Sequence, residues 1–395
     1  MAALDALLRT MLDQGGSDLH LTVGLPPKAR ISGTLRPLGD QPIDAPAMEA
    51  LLKEVCPEKR WADFLDRKDL DLAHEIPGLA RFRGNFLYNH WGQAAVFRQI
   101  PAKILSFSQL NLPEALKKLC HLDQGLVVVT GPTGSGKSTT LAAMIDYIND
   151  NLARHIITIE DPIEFVHPVK KSVIVHREVG EHTESFATAL KGAMRHDPDI
   201  LLLGEMRDYE TIETALLAAE TGHLVLSTLH TLDATETVNR IIAVFPPHQQ
   251  KQIRIQLAAV LKSIISMRLL PRADGLGRVP AVEVLISTAY IRDCIEQKEK
   301  TKLIRDAIAT GTSQYGMQTF DQSLYGLYKS GLITLDEALR RASNPDEFKL
   351  RVQGIQSTAD VSREEMEGAL EVATEPEAFA AGSPFEFGGK EGTGA

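Results

Sequence analysis

The sequence has little cysteine and few aromatic residues, and it contains no long apolar run. Its 395 residues include three cysteines, Cys56, Cys120 and Cys294, which lie far apart and form no CxxC pair. Neither a zinc site nor a disulfide framework is therefore expected. No stretch approaches the roughly 18 apolar residues that would span a bilayer, and the first residues do not read as a secretory signal peptide. These absences favour a protein of the reducing cytoplasm.

An excess of basic residues is also missing, and most of the negative charge lies near the end of the chain. The net charge is −10. Residues 353–395 contain nine acidic and two basic side chains, so this tail carries −7 and leaves −3 for the rest. A near-neutral body lacks the broad basic surface that binds DNA or RNA. The tail has little to bury and is predicted to be mostly disordered.

Two regions with different secondary-structure patterns precede the tail. Residues 1–100 combine short strand-like runs with two helical segments, which indicates a compact α+β domain, and residues 101–122 form a linker. Within residues 123–352, apolar strands first alternate with helices, and the chain beyond Ala234 is predicted to be mainly helical. The alternation predicts a mostly parallel sheet covered on both faces. Its strands are expected at 126–130, 156–160, 200–204 and 224–227.

The most specific motif is the segment 131–138, GPTGSGKS, which matches every defined position of the phosphate-binding pattern G-x-x-x-x-G-K-[ST]. Its glycines would let backbone N–H groups converge on phosphate oxygens at the N-terminus of the following helix. Lys137 is expected to reach the β- and γ-phosphates of ATP, and Ser138 to ligate Mg²⁺. The predicted nucleotide-binding residues are Gly131, Thr133, Gly134, Ser135, Gly136, Lys137, Ser138 and Thr139.

Acidic residues follow two of the expected strands. Glu205 comes after an apolar run, but Gly204 occupies the position of the usual aspartate. An acid one residue later reaches further, so we interpret Glu205 as the group that polarises the attacking water and not as a direct metal ligand. A second set, Glu160, Asp161 and Glu164, is predicted at the carboxyl edge of the sheet, where ligands of open α/β sheets bind. A solvated loop is the alternative for this second set.

A histidine stands at each end of the strand expected at 224–227. His230, at the carboxyl end, could sense the γ-phosphate, whereas His223 lies at the opposite end. A lone strand histidine is more often structural than functional. Spacing alone therefore leaves both interpretations of His230 open.

Four blocks, in this order, resemble the secretion ATPase superfamily, which contains the motors of type II and type IV secretion and of type IV pili. They are the phosphate loop, an aspartate box at 160–164, an atypical Walker B segment at 204–208 and a histidine box at 221–231. Within the superfamily, the chain is most similar to the ATPases that retract type IV pili. That similarity covers residues 3–350 and includes SDLH at 17–20, REVG at 177–180, AETGH at 219–223 and GMQTFD at 316–321.

The resemblance implies a homohexameric ring whose subunits pair an N-terminal PAS-like domain with a RecA-like ATPase domain. ATP and Mg²⁺ would bind between the two domains, with Glu205 as catalytic base, Glu164 in the site and His230 near the γ-phosphate. The motor would be cytoplasmic, at the inner face of the cytoplasmic membrane. It would act through an inner-membrane platform protein of the pilus and only indirectly on pilin, with no direct membrane insertion and no nucleic acid.

Three arginines of the N-terminal region are predicted to form a basic face. Arg81 and Arg83 are two residues apart and share a strand face, while Arg98 lies on the next expected strand. The residues alone favour a solvated surface. In the family, such arginines reach over the nucleotide, which would make domain closure a gate for hydrolysis. Arg83 and Arg98 are the first candidates for this role, and Arg81 is the third.

The family also carries a helical patch, AIRNLIRE, that is tied to retraction and not to hydrolysis. The corresponding residues 290–297 read YIRDCIEQ, so Glu296 stands where the family has an arginine. Ile291, Cys294 and Ile295 share one helix face through their i, i+3, i+4 spacing and are expected to pack on their own domain. Arg292 and Glu296 could then face a partner, and an ordinary surface helix is the alternative.

The sequence thus predicts an ATPase motor that retracts type IV pili, and several alternatives stay open. An accessory retraction ATPase would carry the same motifs. A pilus-extension or type II secretion ATPase is disfavoured, because those proteins usually have a further N-terminal domain and often a four-cysteine zinc insertion. A non-hydrolysing scaffold would lose Glu205 or the arginines, and a nucleic-acid motor would need a basic channel.

Overall fold

The protein is built on two β-sheets. The computed structural model describes residues 3–31, 33–100 and 104–354, and the acidic tail from residue 355 lies outside them. Residues 16–100 contribute a six-stranded sheet, and residues 125–286 contribute a seven-stranded sheet. The predicted α/β class is confirmed.

The first sheet is antiparallel and has the strand order β3-β2-β1-β6-β5-β4. Its strands are β1 (Gly16–Thr22), β2 (Lys28–Ile31), β3 (Thr34–Pro37), β4 (Asp69–Ile76), β5 (Ala80–Asn89) and β6 (Gly92–Ile100). The helices of this region are α1 (Ala3–Asp13), α2 (Ala45–Lys53) and α3 (Glu58–Arg67).

Residues on β5 alternate strictly between the core and the opposite face of the sheet. Phe82 and Phe86 are fully buried with Phe64 of α3 in the core, because successive side chains on a strand point to opposite faces. Arg81 and Arg83 therefore share the outer face, as predicted. This alternation turns the basic side chains away from the hydrophobic core and towards the second sheet.

Two elements of the first region were not predicted from the sequence. Helix α3 buries only Trp61 and Phe64 within a charged decamer, so its apolar signal is weak. Strand β4 alternates acidic and apolar residues, with Leu70 and Leu72 buried. Both elements are fixed by a few large side chains in the core of this domain, which a short apolar pattern does not reveal.

The second sheet has the order β13-β12-β7-β11-β10-β8-β9. Its strands are β7 (Gly125–Thr130), β8 (His155–Glu160), β9 (Val173–Glu178), β10 (Ile200–Leu203), β11 (Leu224–Leu229), β12 (Leu261–Pro271) and β13 (Arg278–Ile286). Helices flank them: α4 (Ala115–Leu119), α5 (Lys137–Asn151), α6 (Phe186–Ala193), α7 (Tyr209–Glu220), α8 (Ala234–Ala243) and α9 (Gln250–Val260).

Strands β7 to β12 pair in parallel, and the central ones are buried on both faces. Every residue of β7, β10 and β11 is buried, as expected for a parallel sheet covered by helices. The four predicted strands are confirmed. Because parallel strands end at one edge, the segments that follow β7, β8, β10 and β11 are brought together there.

The prediction of a mainly helical chain beyond Ala234 was wrong for residues 261–286. There, β12 pairs in parallel with β7, and β13 returns antiparallel beside it. The run 261–271 is apolar enough for a helix or for a strand buried on both faces, and periodicity does not separate the two. Strand β9 was also not predicted. Unlike the buried strand β12, it lies at the edge of the sheet, where Val173 and Val175 are exposed.

The last part of the described chain is helical. Its elements are α10 (Ala289–Glu296), a 3₁₀ helix (Lys298–Leu303), α11 (Ile304–Thr310), α12 (Thr312–Tyr315), α13 (Phe320–Lys329), α14 (Leu335–Arg341) and α15 (Pro345–Val352). Phe320, Leu324 and Phe348 join α13 and α15 to the β12–β13 hairpin in one apolar cluster. Among the described residues, no helix has the length and apolar character needed to cross a membrane.

Candidate active site

A cleft of about 550 Å³ lies between the two sheets, at the carboxyl ends of the central parallel strands. The first sheet contributes four residues to its lining, and the second contributes loops that follow β7, β8, β10 and β11. The lining residues that bear on the chemistry are Arg83, Arg98, Thr133, Gly134, Lys137, Ser138, Glu160, Glu164, Glu205, Arg207, Thr228 and His230. Motifs that are far apart in the sequence thus meet in one place.

The phosphate loop turns from β7 into α5 through three glycines with positive φ. Gly131, Gly134 and Gly136 have φ angles of 145°, 77° and 98°, a region that other residues rarely adopt. A Cβ atom at position 131 would also lie 2.5 Å from the Met267 carbonyl oxygen and from Ser135 Oγ. These glycines give the loop the concave backbone that binds anions at a helix N-terminus.

Lys137 is the first residue of α5, and its side chain folds back over this loop. Its Nζ donates to the carbonyl oxygens of Gly131 at 2.9 Å and Pro132 at 3.2 Å. Burial lowers the pKa of Lys137, and the charge of Glu205 acts in the opposite sense. The ammonium group is therefore held at the mouth of the loop beside a carboxylate.

The predicted loop residues divide between the surface of the cleft and its support. Thr133, Gly134, Lys137 and Ser138 line the cleft. The others shape the loop or the first turn of α5: Gly131, Ser135, Gly136 and Thr139. Ser135 Oγ is buried and has no hydrogen-bond partner within the described structure, which is an unsatisfied polar group in the wall of the predicted phosphate site.

His230 connects Lys137 to Glu205. Lys137 Nζ lies 3.5 Å from His230 Nδ1, and His230 Nε2 lies 3.3 Å from Glu205 Oε2. An ammonium only donates and a carboxylate only accepts, so the neutral ring with its proton on Nε2 satisfies both contacts. His223 sits at the other end of β11, where its Nδ1 lies 3.0 Å from the Ala218 carbonyl oxygen. The structure therefore places His230, and not His223, beside Lys137 and Glu205.

Glu205 follows β10, and the surrounding backbone fixes its position. Gly204 donates its N–H to the Ile159 carbonyl at 2.8 Å, and its carbonyl accepts from Thr228 Oγ1 at 2.6 Å. Glu205 Oε2 also lies 2.8 Å from Arg207 Nη2. The carboxylate consequently faces Lys137, His230 and Arg207 at the floor of the cleft.

The aspartate box places two glutamates in the cleft in different environments. Glu160, the last residue of β8, is buried, and this burial raises its pKa to about 7. Its Oε2 accepts the backbone N–H of Glu164 at 3.1 Å. Burial also raises the pKa of Glu164, while Arg83 and Arg98 act to lower it. Asp161 lines the same cleft.

Two arginines of the first sheet cover the cleft from the opposite side. Arg83 and Arg98 are register partners on β5 and β6. Arg83 Nη1 lies 3.6 Å from Glu164 Oε1, across the gap between the sheets. Arg98 Nε lies 2.7 Å from Asp18 Oδ1, a buried carboxylate of β1, and the arginine side chain remains 72% exposed. Two cations thus face the segment that carries the acidic groups.

Arg81 takes a different position from the two arginines with which the sequence groups it. Its Nη2 lies 3.0 Å from Glu178 Oε2, and the cleft lining found among the described residues does not include it. Sequence reasoning gave no role to Glu178, to Asp18 or to Arg207. Each lies inside a segment that resembles the family: Glu178 in 177–180, Asp18 in 17–20 and Arg207 in 204–208. Membership of these segments is the sequence signal that could have identified them.

The residues present fit a nucleotide with Mg²⁺. Ser138 offers an exposed hydroxyl on the first turn of α5, within the same cleft as Lys137 and Glu205. No group of three His, Cys, Asp or Glu side chains in the described chain could hold a metal. Mg²⁺ commonly takes one or two protein oxygens and completes its shell with water and substrate phosphates. A donor set of this kind suits an ion that arrives with a nucleotide.

Comparisons with known proteins agree with this geometry. The sequence profile described as "Type II/IV secretion system protein" matches residues 2–340. The chain is 47% identical over 342 residues to the type IV pilus retraction ATPase PilT of Pseudomonas aeruginosa, covering 87% of this chain and 98% of that protein. It is 40% identical over 357 residues to the type IV pilus ATPase PilU of the same organism, covering 90% and 93%.

A solved structure is similar over nearly the same length. The pilus retraction motor PilT with bound ADP has a TM-score of 0.80 and 46% identity to this chain, covering 88% of this chain and 98% of that one. The six-stranded sheet therefore belongs to an N-terminal domain and the seven-stranded sheet to a RecA-like, nucleotide-binding ATPase domain. The chain belongs to the type II/IV secretion system protein family and is one of its ATPases.

Proposed function

We propose that this ATPase is the motor that retracts type IV pili. The observation that carries the proposal is the contact between sheets, in which Arg83 of the N-terminal domain lies 3.6 Å from Glu164 of the ATPase domain, above a complete phosphate loop. A site divided between two domains changes when the domains move. This arrangement suits an enzyme that converts hydrolysis into motion.

The residues of the cleft divide the work of hydrolysis. Lys137 and the loop N–H groups bind the phosphates, and Ser138 would hold Mg²⁺, which would supply positive charge against the developing phosphate charge. Glu205 polarises the attacking water as general base. His230 senses the γ-phosphate, since it bridges Lys137 and Glu205. Glu164, on the aspartate box, faces the arginines and completes the acidic side of the site.

Arg83 and Arg98 make hydrolysis depend on domain closure. Both extend from the N-terminal domain into the cleft. Arginines that stabilise transition-state charge contribute about 10³–10⁵ in rate, or roughly 4–7 kcal/mol of barrier, and Arg83 and Arg98 would share this contribution. When the domains separate, this contribution is lost while the phosphate loop remains intact. Hydrolysis is then confined to the closed conformation.

The proposed assembly follows the family. We infer a homohexamer at the cytoplasmic face of the inner membrane, docked on the platform protein of the pilus and acting on pilin through it. The near-neutral body gives no reason to invoke a nucleic acid. The names of PilT and PilU relatives support a pilus motor and leave two candidate functions, a principal and an accessory retraction ATPase.

Live imaging of pili after deletion of the gene tests this proposal. Pili that persist and never shorten would support the principal retraction motor. Pili that still shorten, but under less load, would favour the accessory ATPase, and loss of pili would contradict retraction in favour of extension. Complementation with the wild type and with Glu205→Gln separates absence of the protein from absence of hydrolysis.

A further inference from the structure

Glu178 joins the two domains through a single carboxylate oxygen. It is the last residue of β9, and only 5% of it is exposed. Its Oε2 lies 3.0 Å from Arg81 Nη2 of the N-terminal domain and accepts the backbone N–H of Ile163 at 3.2 Å. An N-terminal arginine therefore shares one acceptor atom with the backbone of the aspartate box.

A second carboxylate supports the same segment. Glu160 and Glu178 are register partners at the ends of β8 and β9. Glu178 accepts a hydrogen bond from the backbone N–H of Ile163, and Glu160 accepts one from the backbone N–H of Glu164 at 3.1 Å. Two consecutive backbone donors are thus fixed by two buried acids. The orientation of the Glu164 side chain depends on this support.

Arg81 and Arg83 act on the same segment in different ways. Both lie on the outer face of β5, two residues apart. Arg83 reaches the side chain of Glu164, whereas Arg81 binds the acid that supports the preceding backbone. The Arg81 side chain is 20% exposed, against 41% for Arg83. Arg81 is therefore suited to holding structure and not to meeting a ligand.

We propose that Arg81 and Glu178 form an interdomain latch that positions Glu164, so that Arg81 is a positioning residue and not an arginine finger. The proposal deepens the proposed function and rests on the role of Glu164 in hydrolysis. A buried acid that loses its cation is destabilised. Without Arg81, Glu178 would reorient towards water and release Ile163, and Glu164 would lose its alignment although the phosphate loop is untouched.

Steady-state ATPase kinetics of Arg81→Ala, Glu178→Gln and the double variant test the latch. Each single change should lower kcat about tenfold and leave the KM for ATP within about twofold, because alignment and not binding is lost. The double variant should be no slower than the slower single one, since both changes break one interaction. Losses that multiply, a raised KM with normal kcat, or wild-type turnover of Glu178→Gln would overturn the proposal.

Glu75→Gln is the matched control. Glu75 also faces Arg81, at 3.8 Å, but its side chain is 60% exposed and it holds no part of the aspartate box. This variant should keep turnover within about twofold of the wild type, as expected for an exposed ion pair. Turnover as low as that of Glu178→Gln would mean that Arg81 acts by its charge alone and would contradict the latch. Hexamer size and melting temperature, measured on every variant, identify misfolded protein.

A background that lacks the Glu164 carboxylate separates positioning from general damage. Arg81→Ala should cost about tenfold in the wild type but less than about twofold in Glu164→Gln, because the latch acts through that side chain. An equal loss in both backgrounds would overturn the latch and leave the role of Glu164 standing. Full activity of Glu164→Gln itself would remove Glu164 from hydrolysis and the latch with it.

Discussion

The phosphate loop and the arginines opposite it share one cleft, but different interactions hold them in place. The loop is a local structure, fixed by positive-φ glycines and the start of α5. Arg83 and Arg98 are positioned by strand register. Arg98 contacts Asp18 of its own domain, and Arg83 contacts Glu164 of the other domain. The loop should therefore keep its shape when the domains move, whereas the arginine arrangement should not.

In the proposed mechanism, this difference separates binding from hydrolysis. Groups that belong to the ATPase domain alone would bind the phosphates in any domain orientation. Groups that act on the transition state would be partly supplied by the other domain, so only the closed arrangement would be fully active. Interactions that are stronger in the transition state than in the ground state raise turnover without changing affinity. Substitutions in the two regions should consequently have different kinetic signatures.

The largest loss of turnover is expected from Glu205→Gln. Replacing the proposed base should slow hydrolysis at least about 100-fold, while the intact loop keeps ATP affinity within a few-fold. Turnover and nucleotide binding measured on the same preparation test both parts. Glu210→Gln, on α7 and paired with Lys191 away from the cleft, is the matched control. Wild-type turnover of Glu205→Gln would remove Glu205 from its role.

Arg83→Ala and Arg98→Ala should lower turnover by about 10- to 100-fold, with a much smaller change in ATP affinity. The reason is that an arginine acting on transition-state charge affects rate more than ground-state binding. Arg36→Ala, on the exposed strand β3 of the same sheet, should leave both parameters unchanged. If either cleft variant turns over normally, that arginine belongs to a solvated face and the contrast between the two regions fails for it.

The same contrast explains how much of the site could be predicted from the sequence. The loop and Glu205 could be located because their chemistry depends on spacing within a short segment, and the four central strands because apolar runs report double burial. The different position of Arg81 could not be predicted. Arg81 and Arg83 lie on the same face of one strand, and they differ only in which acidic residue of the ATPase domain each one contacts. The register of β8 with β9, which brings Glu160 beside Glu178, is also a tertiary property.

The C-terminal part of the ATPase domain shows the corresponding limit for the fold. Leu261–Pro271 is a strand because β7 offers it a parallel edge, and nothing within the segment distinguishes it from a buried helix. By contrast, the predicted packing of α10 on its own domain was confirmed, because Ile291, Cys294 and Ile295 are all fully buried. Hydrophobic periodicity identifies an element correctly when one of its faces is exposed to solvent.

The smallest effect on hydrolysis is expected at the exposed face of α10, where Arg292 and Glu296 stand. The cleft lining of the described chain contains no residue of this helix, so Arg292→Ala and Glu296→Ala should keep ATPase turnover within about twofold, as surface changes usually do. In cells, we expect the same variants to impair pilus retraction, because an exposed charged face beside a packed one is free to bind a partner.

Ile295→Asp is the contrasting control, since a charge in the packed face should lower the melting temperature and lose both activities. Normal retraction in both surface variants would show that this face does not couple the motor to its partner. A parallel fall of ATPase activity and retraction would instead mean that coupling and chemistry are not separable here.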